Sequence, residues 1–216
     1  VRREGAAHNS LGKTGEGFRS ATQLRQHLAR GEWEAVRPYV PAGNLPLLQS
    51  APLTDPELGE RAMLACLRKM RAEDWAKLPD AGAGEGLPQR LDRAGQRCHS
   101  LDDFFAQAKT RRYAMARLRR MALWAFLGLT AADIPDEPPY LRVLGFNARG
   151  REVLKEMKQK ARLPILTKPA HARALDGPGR RLFELEARCT DLYGLFLPQL
   201  PPPGQEWTRG PVIDID

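Results

Sequence analysis

Ser20, Thr22 and Arg25 fall together at the start of a segment whose apolar residues recur at helical spacing. Two hydroxyls and a cation beside the free amides of a helix start form a donor set for an anionic phosphate. The plainer alternative is an ordinary N-cap, with Ser20 serving its own helix. A second set is cationic. Lys109, Arg111, Arg112, Arg117, Arg119 and Arg120 lie between Ala108 and Met121 with no acidic residue among them. On a continuous helix, at about 100° per residue, Lys109, Arg112, Tyr113, Arg117 and Arg120 share one face. Phe104, Ala108, Met115, Leu118, Ala122, Phe126 and Leu129 take the opposite face. A basic stripe held by an apolar one fits a polynucleotide, with cations for phosphates and Tyr113 for stacking on an unpaired base. Arg111 falls in the apolar arc, so the helix restarts near Thr110 or Arg111 turns inward to a partner.

The elements that must position these residues are mostly helices. Ser20 caps a helix over residues 21–30, which Gly31 ends, and a short helix over 32–36 stops at Pro38 and Pro41. Four prolines between Pro41 and Pro56 mark a domain boundary. Helical patterns follow over 56–70, 73–78 and 87–98, and a helix or a helix pair split at Thr110 over 101–129, capped by Ser100 with Asp103 in its first turn. Residues 140–144 and 164–167 read as extended, around a helix over 148–161 capped by Asn147. A small βαβ-like unit and plain connectors both fit that pattern. A helix over 179–197 closes the regular part.

Composition bounds the partners. The 216 residues are 42% hydrophobic and carry 34 Lys and Arg against 26 Asp and Glu, a net charge of +8 that favours a polyanion. Cys66, Cys98 and Cys189 are dispersed, so neither a zinc cluster nor a disulfide framework is indicated, and a cytoplasmic location is expected. Cys98 and His99 are sequence neighbours and diverge on a helix, which argues against a thiol dyad. No apolar run approaches the roughly 20 residues that span a bilayer, and no signal peptide is visible, so no membrane partner is expected. Gly12-Lys13-Thr14 lacks the strand and upstream glycine of a P-loop. Gly82, Gly84 and Gly86 follow no strand and read as a flexible connector rather than a phosphate cradle.

Several blocks together resemble one family. SATQLR (Ser20 to Arg25) resembles the second signature of HIGH-type nucleotidyltransferases. VRREGAAH (Val1 to His8), EGLPQRL (Glu85 to Leu91), AKTRRYAMARLRRMAL (Ala108 to Leu123) and PYLRVLGFNARGREVL (Pro139 to Leu154) resemble blocks of the tRNA(Met) cytidine acetate ligases. LPILTK (Leu163 to Lys168) and the Asp191-Leu192-Tyr193 helix continue the match in order. The resemblance implies an enzyme that activates acetate with ATP as acetyl-adenylate and acetylates the wobble cytidine of elongator tRNA(Met). It implies ATP as a substrate, with magnesium accompanying it, and tRNA and acetate as partners. It places Arg3, Ser20, Thr22 and Arg25 at the nucleotide. Lys109, Arg111, Arg112 and Arg120 fall in its basic block, which Tyr113 and Arg117 extend on the tRNA side. No catalytic residue and no metal ligand is assigned.

One departure shapes the expectation. The family carries an HxGH motif after its first strand; here His8, His27, His99 and His171 are isolated. The expected fold class is therefore mainly α: a helical tRNA-binding domain over 46–216, preceded over 1–45 by the C-terminal remnant of a Rossmann-like α/β nucleotidyltransferase domain. The chain is expected to begin inside a longer protein, truncated and inactive alone. The alternatives are a non-catalytic basic RNA-binding helical module and a helical interaction protein whose charge is incidental.

Overall fold

The computed structural model describes residues 19–82 and 84–214. Arg3, the VRREGAAH block (Val1 to His8) and the Gly12-Lys13-Thr14 segment lie outside the described residues. The chain divides into two compact units, Val1–Thr54 and Asp55–Asp216.

In the first unit, α1 (Ala21–Ala29) opens with a capping box: the Ser20 hydroxyl accepts from the Gln23 amide while the Gln23 side chain accepts from the Ser20 amide. Gly31, at φ +70°, takes the left-handed turn after it. Helix α2 (Trp33–Val36) runs into a 3-10 turn at Arg37–Tyr39 that carries Pro38, and α3 (Asn44–Ser50) follows. Val36 and Leu45 are buried.

The second unit begins with α4 (Pro56–Lys69), α5 (Ala72–Ala76), α6 (Leu87–Arg97), α7 (Leu101–Ala108) and α8 (Met115–Leu127). Their apolar stripes meet in one core, where Leu67, Trp75, Leu87, Leu91, Phe104 and Leu118 are fully buried. Each such side chain contributes about 1.5–3 kcal/mol by leaving water. Gly95 lets α6 approach α4: a Cβ there would lie 2.8 Å from the Leu67 carbonyl oxygen.

Beyond Tyr140 come β1 (Leu141–Arg142), β2 (Gly145–Asn147), α9 (Ala148–Lys160), β3 (Ile165–Leu166), α10 (Pro169–Arg173), α11 (Gly177–Tyr193) and β4 (Val212–Asp214). Strand β1 pairs in parallel with β3, and β2 in parallel with β4, so two small ladders lie around the α9 crossover. Asn147 caps α9 by accepting from the Gly150 amide. Tyr140, Leu166, Ala172 and Phe183 form a second, smaller core, with Trp207 edge-on to Phe183 at 4.7 Å. No helix among the described residues is long and apolar enough to cross a membrane.

Of the two readings open for the basic segment, the structure takes the helix pair that restarts after Thr110: α7 ends at Ala108 and α8 starts at Met115, so the single-face projection of Lys109 to Arg120 on one continuous helix fails. The cause is tertiary. The Arg90 guanidinium donates to the carbonyls of Ala108 and Gln107, both at 2.7 Å, and caps the end of α7 from a neighbouring helix. Among the described residues, the Rossmann-like remnant expected over 1–45 has no strand. Residues 19–45 that are described are helix and turn, and the short strands lie far downstream, at 141–214. A doubly wound sheet needs buried β-branched runs; this segment supplies Leu, Gln, Ala and Arg, which favour helix.

Candidate functional site

The start of α1 places Ser20 and Thr22 in its cap and first turn, with Arg25 one turn after Thr22. Ser20 is buried, Thr22 half-buried and Arg25 exposed. The capping box engages the Ser20 and Gln23 amides, leaving those of Ala21 and Thr22 as the remaining donors of the first turn. Sequence reasoning missed the group beside them. An Arg19 guanidinium nitrogen lies 2.6 Å from His27 Nε2, and Arg19 Nε donates to the Tyr39 hydroxyl at 3.4 Å. His27 Nδ1 lies 2.5 Å from a Glu32 carboxylate oxygen. An accepting Nε2 puts the imidazole proton on Nδ1, aimed at Glu32. That contact holds the Glu32 carboxyl below its usual range, and the positive charge of the neighbouring arginines adds to it. A cation is thus fixed one residue before the cap. Its only sequence signal was position, directly ahead of the Ser-Ala-Thr run.

The basic block between α7 and α8 sorts into two groups. Tyr113 is 5% exposed, and its hydroxyl donates to the Glu85 carbonyl. It is a core residue, and burial removes it from stacking on a base. Arg117 points into the loop over Asp80 to Gly86: Nε and Nη2 donate to the Asp80 carbonyl at 3.0 and 2.7 Å, and Nη1 to the Glu85 carboxylate at 2.8 Å. Arg120 donates to the Asp80 carboxylate at 2.7 Å. Lys109 turns its ammonium onto the carbonyls of Thr110 and Tyr113, at 2.5 and 2.9 Å. Arg111, Arg112 and Arg119 are exposed, and no ion pair engages them among the described residues.

The loop that carries the glycines therefore supplies counter-ions to the block through Asp80 and Glu85. Asp80 (φ +60°), Gly82 (φ +73°) and Gly84 (φ +71°) adopt left-handed backbone, which folds the loop around Arg117. A Cβ on Gly82 would sit 2.5 Å from an Arg117 guanidinium nitrogen. The signal that sequence reasoning passed over was the pair of acids, Asp80 and Glu85, bracketing the glycines.

Arg142 is likewise turned inward. It donates to Glu186 at 2.9 Å and to Glu206, with the Phe183 ring centroid 5.1 Å from its guanidinium carbon. Burial opposes charge on Glu206, but the Thr190 hydroxyl and Arg142 outweigh it and hold the carboxyl below its usual range. Cys98 is buried and its thiol is pushed up by burial, the opposite of an activated nucleophile. Among the described residues no group of three or more His, Cys, Asp or Glu is placed to hold a metal ion.

Comparison with known proteins places this geometry. The model of the HIGH nucleotidyl transferase family matches residues 1–206. The chain is 31% identical to the tRNA(Met) cytidine acetate ligase of Kosmotoga olearia, over 90% of this chain and 50% of that protein. It is 32% identical to the enzyme of that name from Levilactobacillus brevis, over 77% of this chain and 43% of that one. Crystal structures of Thermotoga maritima TmcAL superpose with TM-scores of 0.84 for the apo form and 0.79 for the form bound with alpha-thio ATP. The identities are 25% and 26%, covering 100% and 92% of this chain and 55% and 53% of the other. The chain spans about half the length of the curated relatives it matches.

These matches also correct the division of the chain into a Rossmann-like remnant over 1–45 and a separate helical domain after it. The family match runs from residue 1 to residue 206 without a break at the expected boundary, and the inactive-fragment reading finds no support in it. On that family match, the chain belongs to the HIGH nucleotidyl transferase family.

Proposed function

We propose that this protein serves an ATP-dependent ligation that joins acetate to a cytidine of tRNA(Met). The observation that carries the reading is the start of α1, where the Ser-Ala-Thr run and the Ala21 and Thr22 amides are followed one turn later by the exposed Arg25. The curated relatives that match most of the chain bear the name of that activity. ATP activates the acetate carboxylate by adenylation with release of pyrophosphate, and the cytidine amine then takes the acetyl group with release of AMP.

In this reading Thr22, Arg25 and the amides of Ala21 and Thr22 hold the nucleotide phosphates, with Ser20 fixing the turn. Arg3 is retained as a nucleotide contact on the resemblance alone. Arg111 and Arg112 face the tRNA. Arg117 and Tyr113 shape the surface from beneath, and Lys109 and Arg120 stand at it with their charges engaged by the chain's own carbonyls and Asp80. Magnesium takes no step here beyond accompanying ATP in solution. Three free cysteines suit a reducing, cytoplasmic setting.

The test is acetylation of a tRNA(Met) transcript by the full chain, read by mass spectrometry of the nucleosides. Acetylcytidine that requires both ATP and acetate is expected. Arg25→Ala should lower kcat/KM for ATP at least about tenfold, the loss expected for one charge-assisted phosphate contact. Acetylation indifferent to ATP, or an unchanged Arg25→Ala variant, overturns the reading.

A further inference from the structure

Helix α9 carries cations and acids mixed along its sequence, yet they separate on its surface. At about 100° per residue, Arg151, Lys155 and Lys158 fall within about 60° of arc, and Glu152, Glu156, Arg149 and Lys160 lie to one side of them. Lys160 pairs with Glu156 at 3.3 Å on that other side. The stripe of Arg151, Lys155 and Lys158 lines an open groove of about 500 Å³ together with Lys168, which precedes α10. All four cations are exposed, and none has an ion-pair partner among the described residues. No carboxylate lines the groove; Asp214 lines the adjoining hollow instead. Phe146, Leu154 and Ile213 supply an apolar lining beside the charges.

Like charges gathered around one concave surface repel each other, and low-dielectric walls strengthen that field. Such an arrangement is relieved by a polyanion that lays several charges along it at once. An apolar wall containing an aromatic ring adds a place for the flat face of a base, which a duplex keeps stacked inside itself.

We propose that this groove binds a single-stranded stretch of RNA, with Arg151, Lys155, Lys158 and Lys168 on its phosphodiesters and an unpaired base against the Phe146 wall. The proposal rests on the tRNA reading above and names a binding surface separate from the 109–120 block.

The experiment is binding of fluorescent tRNA(Met) and of a single-stranded oligoribonucleotide to the full chain across a potassium chloride series. Wild type should bind both. Arg151→Gln, Lys155→Gln and Lys158→Gln together should weaken binding at least about tenfold. The slope of log affinity against log salt should fall by about 2, at roughly 0.7 for each single-strand phosphate no longer neutralised. Arg149→Gln with Lys160→Gln, on the other side of the same helix, should leave affinity and slope as in wild type. An unaltered circular dichroism spectrum establishes that the triple variant is folded. A folded triple variant with wild-type slope, in a chain that still binds and acetylates tRNA, overturns the groove and leaves the ligase reading standing. A wild-type chain that binds no RNA overturns both. Duplex RNA competing as well as the single strand overturns the base-binding wall.

Discussion

The 109–120 block and α9 reverse each other's promise. The block has six cations and no acid in its own sequence; α9 interleaves Glu152 and Glu156 among its cations. By local composition the block is the bare cationic surface and α9 the self-neutralised one. In the folded chain Arg117 and Arg120 are neutralised from the loop at Asp80 and Glu85, more than thirty residues earlier, at 2.8 and 2.7 Å. On α9 the helical period carries the acids away from Arg151, Lys155 and Lys158. Local charge counts therefore mislead in both directions: counter-ions come from distant loops, and proximity in sequence is not proximity on a helix surface.

The sharpest way to break this comparison is to remove the anchored member. Arg117→Ala deletes three hydrogen bonds from a guanidinium that is only 17% exposed. It is expected to destabilise the chain by about 1.5–3 kcal/mol, lowering the melting temperature by about 5–10 °C, while tRNA affinity at moderate salt changes little. A stable variant with weakened binding would return Arg117 to the tRNA surface.

The next effect concerns Arg142, the anchored cation near α9. Glu206 has its carboxyl held low in the folded chain. A depressed carboxylate stabilises the fold above its unfolded value and loses that contribution as pH falls through the folded one. The stabilisation from this pair should therefore be complete at neutral pH and decline below about 4.5. Glu206→Gln should cost about 1–2 kcal/mol at pH 7 and flatten the acid limb of a urea-denaturation pH series. A limb as steep as wild type would assign the acid sensitivity elsewhere.

The smallest expected effect sharpens the comparison from the other side. Asp80→Asn with Glu85→Gln removes the carboxylates while keeping the shapes, and Asn tolerates the left-handed backbone at Asp80. Freed of counter-ions, Arg117 and Arg120 should raise tRNA affinity by about threefold at low salt and steepen its salt dependence. Unchanged affinity would mean that these guanidiniums cannot reach a bound polyanion even when unpaired.

What was legible in the sequence was local. Ser20, Ser100 and Asn147 were readable as caps because a short polar side chain reaches amides two or three residues ahead, and each does so. The family likeness was readable from blocks such as KTRRY and RVLGFN. The Rossmann-like remnant was not, because it was inferred from what the family carries elsewhere rather than from the segment's own helix-forming residues.

The sequence by itself determined where helices start, which stripes are apolar, and that the chain carries excess positive charge; these follow from backbone geometry and side-chain type within a few residues. Only the tertiary structure decided which cations remain available. Arg90 from α6 ends α7, the Asp80–Gly86 loop closes on Arg117, and Glu186 and Glu206 enclose Arg142. Each of these partners lies 18 to 64 residues away along the chain. A charge is neutralised by whatever folding brings within a few ångströms, and no window of sequence contains that neighbour.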